Sequence, residues 1–168
     1  MSNLPLLSTL IWTPIIGGLI LLFVKEHKDN VIKYISYSFT SVTLIISLIV
    51  LANFNAESHS LQLEEKVVWI ANLNINYHLA VDGFSIVFIL LTTITTLIIN
   101  LYSFSEAREQ NNKYLSLFLI LEGIILGVFC SFDSILFYIF FEAMLIPLFL
   151  IIGIWGGDNR VYATIKFF

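Results

Sequence analysis

The chain has 168 residues, of which 58% are hydrophobic and only 12% are charged, and its mean hydropathy is +0.93. Soluble domains carry about 45–50% apolar and about 25% charged residues, so this composition cannot supply the polar surface of a soluble domain. The net charge of −4 offers no basic surface for nucleic acid, and a single cysteine excludes an internal disulfide. We therefore expect an all-α protein in the lipid bilayer, built as one polytopic helix bundle over residues 1–168.

Five segments are apolar enough to cross a membrane, which takes about 20 residues at a rise of about 1.5 Å per residue. In chain order, the predicted spans are residues 4–24, 34–52, 84–104, 114–130 and 134–154. The first span lacks the basic residues that precede a signal peptide, and its apolar run is longer than such a peptide needs. We therefore predict that it is a helix of the mature protein.

The basic residues of the connections predict the orientation of the bundle. Connections on one side carry seven Lys or Arg residues, and those on the other side carry one. The seven are Lys25, Lys28, Lys33, Arg108, Lys113, Arg160 and Lys166, and the one is Lys66. Because basic loops stay on the cytoplasmic or matrix side, the N-terminus is predicted to face outside.

The longest polar connection contains a segment with strand character. Residues 67–81 read VVWIANLNINYHLAV, in which apolar and polar residues alternate from Leu73 to Leu79. This period of two predicts a short hairpin on the outer surface. At its end, His78 is predicted to be a surface residue, and Asp82 is predicted to cap the third span.

Two carboxylates lie deep in apolar segments, Glu122 in the fourth span and Glu142 in the fifth. A charge at the centre of a membrane helix costs about 2.5–3.5 kcal/mol on insertion scales, so such residues mark function or a partner. The short connection at 131–133 makes these helices neighbours, and the predicted span ends place the two carboxylates within about 6 Å in depth. A side chain or a few waters can then link them in a proton relay, although a protonated Glu can also serve only as a hydrogen-bonding group between helices.

Glu142 has unusual neighbours. Tyr138 lies one turn before it on the same face, and Pro147 cannot donate to the carbonyl of Ala143. We predict a bend at Pro147 that frees this carbonyl, so that phenol, carboxyl and carbonyl form a polar site able to hold water. No Lys or Arg lies inside any predicted span, so the counter-charge of Glu142 is expected on other sequence.

No nucleotide-binding loop, haem-ligand pair, nucleophile triad or zinc-ligand spacing is present, and the three histidines fall in predicted loops. We therefore expect no cofactor and no metal in this chain. Gly123 and Gly127 form a G-x-x-x-G pattern, which is expected to let another helix of the same protein approach closely.

The motifs F-E-A-M-L-I-P at 141–147, I-W-G-G at 154–157 and Y-A-x-I-K-F-F at 162–168 are specific. With Y-H-L-A-V-D-G-F-S at 77–85 and F-D-S-I-L-F-Y at 132–138, they resemble the antiporter-like membrane subunits of respiratory complex I, or NADH-quinone oxidoreductase. Within this family the chain is most similar to the branch of subunit M and its mitochondrial counterpart, subunit 4. The resemblance covers essentially the whole chain and is tightest from Trp69 onward.

The resemblance implies proton translocation driven by NADH oxidation and quinone reduction elsewhere in a complex. It makes Glu142 the proton-channel residue and pairs it with a Lys of a later helix, whereas Glu122 is a relay candidate from its depth in the fourth span alone. Such subunits continue for many more helices, whereas this sequence stops where a sixth helix begins, at Lys166-Phe167-Phe168. We therefore expect an N-terminal part of such a subunit.

The same resemblance implies that NADH, flavin, iron–sulfur clusters and quinone are bound by partner subunits. The expected partners are other membrane subunits of complex I, the lipid bilayer and protons. The expected location is a bacterial plasma membrane, with the mitochondrial inner membrane as the alternative. A cation/proton antiporter subunit, which shares the fold, and a non-functional fragment are the competing hypotheses for function.

Overall fold

The computed structural model describes residues 5–24, 29–58, 60–103 and 111–167. These residues form six α-helices and one two-stranded antiparallel hairpin, with a single 3₁₀ turn between the strands. The elements in chain order are α1 Leu6–Leu22, α2 Asp29–Ala52, β1 Gln62–Ile70, β2 Ile75–Val81, α3 Gly83–Ser103, α4 Asn111–Cys130, α5 Ser134–Trp155 and α6 Arg160–Phe167.

Four helices, α2 to α5, are long and apolar enough to cross a membrane. The first helix has 17 residues, shorter than the predicted span and at the lower limit for crossing. The count of five spans and the orientation therefore stay predictions. Leu4, Lys25, Lys28, Phe104 and Arg108, on which parts of those predictions rest, lie outside the described residues.

Apolar side chains cover the outside of the bundle, and polar ones are found within it. Ile146 is 61% exposed, whereas Asn100 and Glu122 are each 1% exposed. This reverses the pattern of a soluble protein, in which the polar groups face the solvent. It is the pattern of a bundle whose solvent is hydrocarbon, because polar groups there must find partners inside the protein.

Helices α1 and α4 cross closely because glycines line the crossing. A Cβ atom at Gly18 would lie 2.7 Å from the backbone oxygen of Ser116, and one at Gly123 would lie 2.6 Å from that of Ile11. A Cβ atom at Gly127 would likewise lie 2.6 Å from the ring of Phe140 on α5. The prediction that G-x-x-x-G serves packing within this protein is confirmed.

The predicted hairpin is confirmed, but β1 begins at Gln62, five residues before the predicted start at Val67. The charged run at 64–66 obscures the alternation at this end, since its side chains point to water and to α1 rather than to a core. Pairing passes from Gln62↔Val81 to Glu65↔Leu79, so β1 holds one extra residue there. Such a bulge bends a strand and re-aims its side chains.

Glu65, next to this bulge, caps α1 from a distance. Its carboxylate accepts hydrogen bonds from the backbone N–H groups of Leu7 at 2.7 Å and Ser8 at 3.1 Å, and from the Ser8 hydroxyl. The residue that precedes α1 is Pro5, which gives no side-chain cap. The hairpin therefore satisfies N–H groups that the first turn leaves free.

Asp133 joins the hairpin to α5. Its Oδ1 accepts from the N–H groups of Ile135 and Leu136, and its Oδ2 accepts from that of Asn76 in β2. The bond from Asn76 is the main cause that lowers the pKa of Asp133 below its ordinary value, and the two helix N–H groups lower it further. The N–H of Phe132 also donates to the carbonyl oxygen of His78 at 2.9 Å.

Asp82 caps α3 as predicted. Its Oδ1 accepts from the N–H groups of Ser85 at 2.7 Å and Phe84 at 3.1 Å. The Ser85 bond is the main cause that lowers the pKa of Asp82. Nearby, His78 was predicted to be a surface residue but is half-buried, and its Nε2 lies 3.3 Å from the exposed Glu64 carboxylate.

Candidate functional site: carboxylates within the bundle

Glu142 lies on an exposed face of α5, eight residues after the helix begins at Ser134 and therefore about 12 Å along it. Tyr138, which is 58% exposed, lies one turn earlier, and its phenol is close enough to the Glu142 carboxylate for the two groups to interact electrostatically. In the described part of the chain, α5 contacts mainly α4, α6 and β2. The carboxylate thus faces away from the other described helices.

Pro147 is buried, and α5 continues through it to Trp155. Because proline has no N–H, the carbonyl of Ala143 receives no hydrogen bond from the residue four positions later. This carbonyl lies one residue after Glu142. The sequence prediction of a free acceptor beside the carboxylate thus follows from covalent chemistry, while the predicted bend stays a prediction.

Glu122 is buried in α4 and is 1% exposed. Neither of its carboxylate oxygens has a hydrogen-bond partner among the described residues. It lines a cleft of about 310 Å³ between α3 and α4. The other residues of this cleft are Phe88, Leu91, Thr92, Thr95, Thr96, Ile99, Phe118, Leu121, Ile125 and Phe129.

The structure corrects the relation between the two carboxylates. Glu122 lies eight residues before α4 ends at Cys130, and Glu142 lies eight residues after α5 begins, so both are about 12 Å from the connection at 131–133. This difference in depth is smaller than the predicted value of about 6 Å, because α4 begins at Asn111 rather than at Tyr114. The helices are neighbours as predicted, but Glu122 is buried and Glu142 is exposed, and the described residues show no hydrogen bond between them.

A polar seam between α2 and α3 was missed in the sequence. Each helix contributes four buried side chains at helical spacing. The polar seam consists of Ser36, Thr40, Thr43 and Ser47 on α2 and Thr93, Thr96, Asn100 and Ser103 on α3. Averaged hydropathy hides such residues, whereas their steps of three and four along each helix are a signal that a period analysis can find.

Two direct bonds cross the polar seam. The Ser36 hydroxyl donates to Oδ1 of Asn100 at 2.6 Å, and the hydroxyls of Ser47 and Thr93 lie 3.1 Å apart. The amide nitrogen Nδ2 of Asn100 is buried and has no partner among the described residues. Both donor hydrogens of Asn100 therefore have no acceptor among the residues that the structure describes.

Cations and metal ligands are sparse around these groups. The sequence holds no Lys or Arg from residue 114 to residue 159. Within the described ranges, His, Cys, Asp and Glu form no group of three that could hold a metal ion. Carboxyl groups in such surroundings can bind and release protons.

These features define a class: a polytopic helical membrane protein with ionisable groups near mid-depth. A family model described as "NADH:quinone oxidoreductase/Mrp antiporter, TM" matches residues 131–168. NADH-quinone oxidoreductase subunit M from Rickettsia prowazekii (strain Madrid E) is 38% identical over an alignment of 171 positions, which covers 100% of this chain and 35% of that relative. NADH-ubiquinone oxidoreductase chain 4 from Arabidopsis thaliana is also 38% identical, over 96% of this chain and 33% of that relative.

Among solved structures, a chain of respiratory complex I from Thermus thermophilus with bound NADH has the same fold. Its TM-score is 0.79 at 24% identity, and the match covers 96% of this chain and 32% of that one. A chain of the membrane-bound sulfane sulfur reductase, an archaeal respiratory membrane complex, matches with a TM-score of 0.73 at 20% identity. The chain thus spans about a third of the length of the relatives that it matches.

The resemblance to the antiporter-like membrane subunits of respiratory complex I is therefore confirmed over the whole chain. Subunit M and its mitochondrial counterpart, chain 4, are the particular relatives that it matches at 36–40% identity.

Proposed function

We propose that this chain is part of a proton-translocating membrane subunit of NADH-quinone oxidoreductase, with Glu142 as its principal proton-binding residue. The observation that carries the proposal is an ionisable residue at about 12 Å in a 22-residue apolar helix, within the stretch that the family model matches. A carboxylate at that depth is costly and is expected where protons or ions move.

The neighbourhood of Glu142 supports this role. Tyr138 supplies a phenol that can donate to the carboxylate, and the Ala143 carbonyl next to Pro147 supplies a free acceptor. The exposed face of α5 leaves the carboxylate open to groups outside the described bundle, such as a cation from the remainder of a longer subunit. Glu122, at equal depth on α4, is the second proton-binding group in the proposal.

Replacement of Glu142 by Gln tests the proposal in the assembled complex in vesicles. The amide keeps the shape and hydrogen bonds of the carboxyl but cannot release a proton, so NADH-driven proton uptake should fall about tenfold or more. The matched control is Glu57→Gln, since Glu57 is an exposed residue of the connection between α2 and β1. Normal pumping by an assembled Glu142→Gln variant would rule out the role.

The location of the redox cofactors, the number of spans and the membrane are part of the same proposal. NADH, flavin, iron–sulfur clusters and quinone would be bound by partner subunits, because this chain offers Glu, Tyr and backbone groups rather than redox-cofactor ligands. The relatives are membrane subunits of bacterial and mitochondrial complex I, and the solved neighbours belong to respiratory membrane complexes. We propose five spans with the N-terminus outside, in a bacterial plasma membrane.

A cation/proton antiporter subunit is the second candidate, because the description of the matching family model includes Mrp antiporters. The two functions differ in the energy source that drives proton transport across the membrane. Sodium-dependent proton exchange in vesicles without NADH would favour the antiporter, whereas proton uptake only during NADH oxidation would favour the oxidoreductase.

A further inference from the structure

Among the buried polar groups without a partner in the described ranges are the Glu122 carboxylate and the Asn100 amide nitrogen. Both residues are 1% exposed. An ionised carboxylate only accepts hydrogen bonds, and an amide NH₂ only donates them. The two groups are therefore complementary, and water between them would satisfy both.

Thr96 lies between these two groups. It is buried in the polar seam and also lines the cleft of Glu122. Asn100 follows it by four residues and so lies one turn further along the same face of α3. The hydroxyls of Thr92 and Thr96 donate to carbonyls of their own helix, which leaves their oxygen lone pairs free to accept from water.

The positions of Asn100 on α3 and Glu122 on α4 give the distance that water would have to span between them. Asn100 lies three residues before α3 ends at Ser103, and Glu122 lies eleven residues after α4 begins at Asn111. With a rise of about 1.5 Å per residue, the two groups differ by about 12 Å in depth. Waters spaced by about 2.8 Å would span this gap with three or four molecules.

The cleft has room for these waters. Its volume is about 310 Å³, and its lining is mostly apolar apart from Glu122 and the three threonines. Because the apolar part of the lining offers no hydrogen bonds, water in this cleft would be restricted to the line of polar groups, where each molecule can find the two or more polar partners or water neighbours that it needs.

We propose that Ser36, Thr96 and Asn100 hold a file of water that connects Glu122 to the end of the bundle where α2 begins and α3 ends. Ser36 fixes Asn100 by donating to its Oδ1, so that the amide hydrogens point to water. A proton reaches Glu122 from the nearest water, which takes a proton from the next water in turn. Each water is regenerated, and the proton comes from bulk water.

This inference rests on the proposed proton-translocating function, but it assigns positioning residues that the motifs of the family resemblance do not include. Asn100 and Thr96 do not carry the proton; they order the water that does. Their loss should therefore change how fast Glu122 exchanges its proton, rather than whether the helices assemble.

The test is infrared difference spectroscopy on the complete complex, with the carboxyl band of Glu122 assigned by its loss in Glu122→Gln. After transfer from H₂O to D₂O, the deuterium shift of this band reports proton exchange directly. Asn100→Leu, which removes the amide, should slow the exchange about tenfold or more, as expected when one hydrogen bond to a transferring group is lost. Thr96→Val, which is isosteric, should slow it in the same direction.

Thr43→Val is the matched control, because Thr43 is buried in the same helix interface and also donates to a carbonyl of its own helix, but it does not line the cleft of Glu122. Asn100→Ser, which keeps a polar group and leaves space for water, should restore most of the native rate. The proposal is wrong if Asn100→Leu and Thr96→Val exchange as fast as Thr43→Val, or if no carboxyl band of Glu122 exchanges at all. Pumping by Glu142→Gln, which tests the proposed function, is measured separately.

Discussion

The two carboxylates, Glu122 and Glu142, lie in very different surroundings. Glu122 is enclosed by apolar groups and threonines and has no partner in the described part of the chain, whereas Glu142 is exposed on the outer face of α5 beside Tyr138. A buried, unpartnered carboxyl weakens a bundle from within, whereas a carboxyl on the outer face of a membrane helix is costly until another helix covers it. The two residues therefore place different demands on the fold.

Glu122→Leu should separate the stability of the bundle from its function. The leucine fits an apolar cleft and removes a buried polar group, so the free energy of unfolding should stay unchanged or rise by up to about 3 kcal/mol. Thermal unfolding of the purified complex in detergent measures this, with Glu142→Leu as the comparison. A marked loss of stability would mean that Glu122 is paired with a cation from other sequence.

At the glycine crossing, a single methyl group should have a large effect. Gly123→Ala places a Cβ 2.6 Å from the backbone oxygen of Ile11, which cannot move without shifting α1. Overpacking of this kind costs about 1–3 kcal/mol. Gly83→Ala is the control, because a Cβ there meets nothing within 4 Å. Thermal unfolding of both variants should show a loss only for Gly123→Ala, and equal midpoints would contradict the close crossing.

Secondary-structure elements were predicted well where hydropathy defines them. Each of the five predicted segments matches a helix to within five residues at each end, and four of these helices are long and apolar enough to cross a membrane. The start of α2 was predicted five residues late, since Asp29, Asn30 and Lys33 are polar and still continue the helix. Helical hydrogen bonding does not require apolar side chains, so hydropathy cannot find such ends.

The contacts that position the elements were not predictable in the same way. Glu65 caps a helix that begins 59 residues earlier, and no local pattern encodes that contact. The polar seam, by contrast, has a local signal in the steps of its Ser and Thr residues. Of the candidate site, the sequence located both carboxylates, but it did not show that one is buried and the other exposed.

The capping of α1 by Glu65 should contribute to the stability of the protein. Glu65→Ala removes the acceptor of two backbone N–H groups and should destabilise the protein by about 1–2 kcal/mol, as the loss of a helix cap does. Glu64→Ala is the matched control, since its carboxylate meets only His78 at the surface among the described contacts. Thermal unfolding compares the two variants, and equal effects would contradict the capping role.

The attachment of the hairpin to α5 should depend on pH. The folded-state pKa of Asp133 is lowered by the N–H groups of Asn76, Leu136 and Ile135, so its ionised form stabilises the folded chain. This stabilisation is present above the ordinary pKa of 3.8 and is lost as pH falls through the lower folded value. The stability difference between the native chain and Asp133→Asn should therefore shrink from about pH 5 to about pH 3, as measured by thermal unfolding.

For the whole molecule, orientation is the property that one experiment can establish. Cys130 is the only cysteine and is fully buried, so Cys130→Ala provides a background for labelling. A membrane-impermeant maleimide added outside intact cells should modify Glu57→Cys and not Asp158→Cys. Ser2→Cys should be modified together with Glu57→Cys if both α1 and α2 cross the membrane, and labelling of only one of them would contradict the five-span arrangement.

Asp133 caps the start of α5 and also binds strand β2, and this double attachment has a mechanical consequence. The same carboxylate binds the first turn of α5 through Oδ1 and the β2 strand through Oδ2, while Glu65 ties the other strand to α1. The hairpin is thus attached to α5, the helix that carries Glu142, and a movement of α5 should move the hairpin with it. Asn72 is exposed in the turn between the two strands. A spin label at this position, in the water phase, should therefore report a tilt of α5 inside the bilayer.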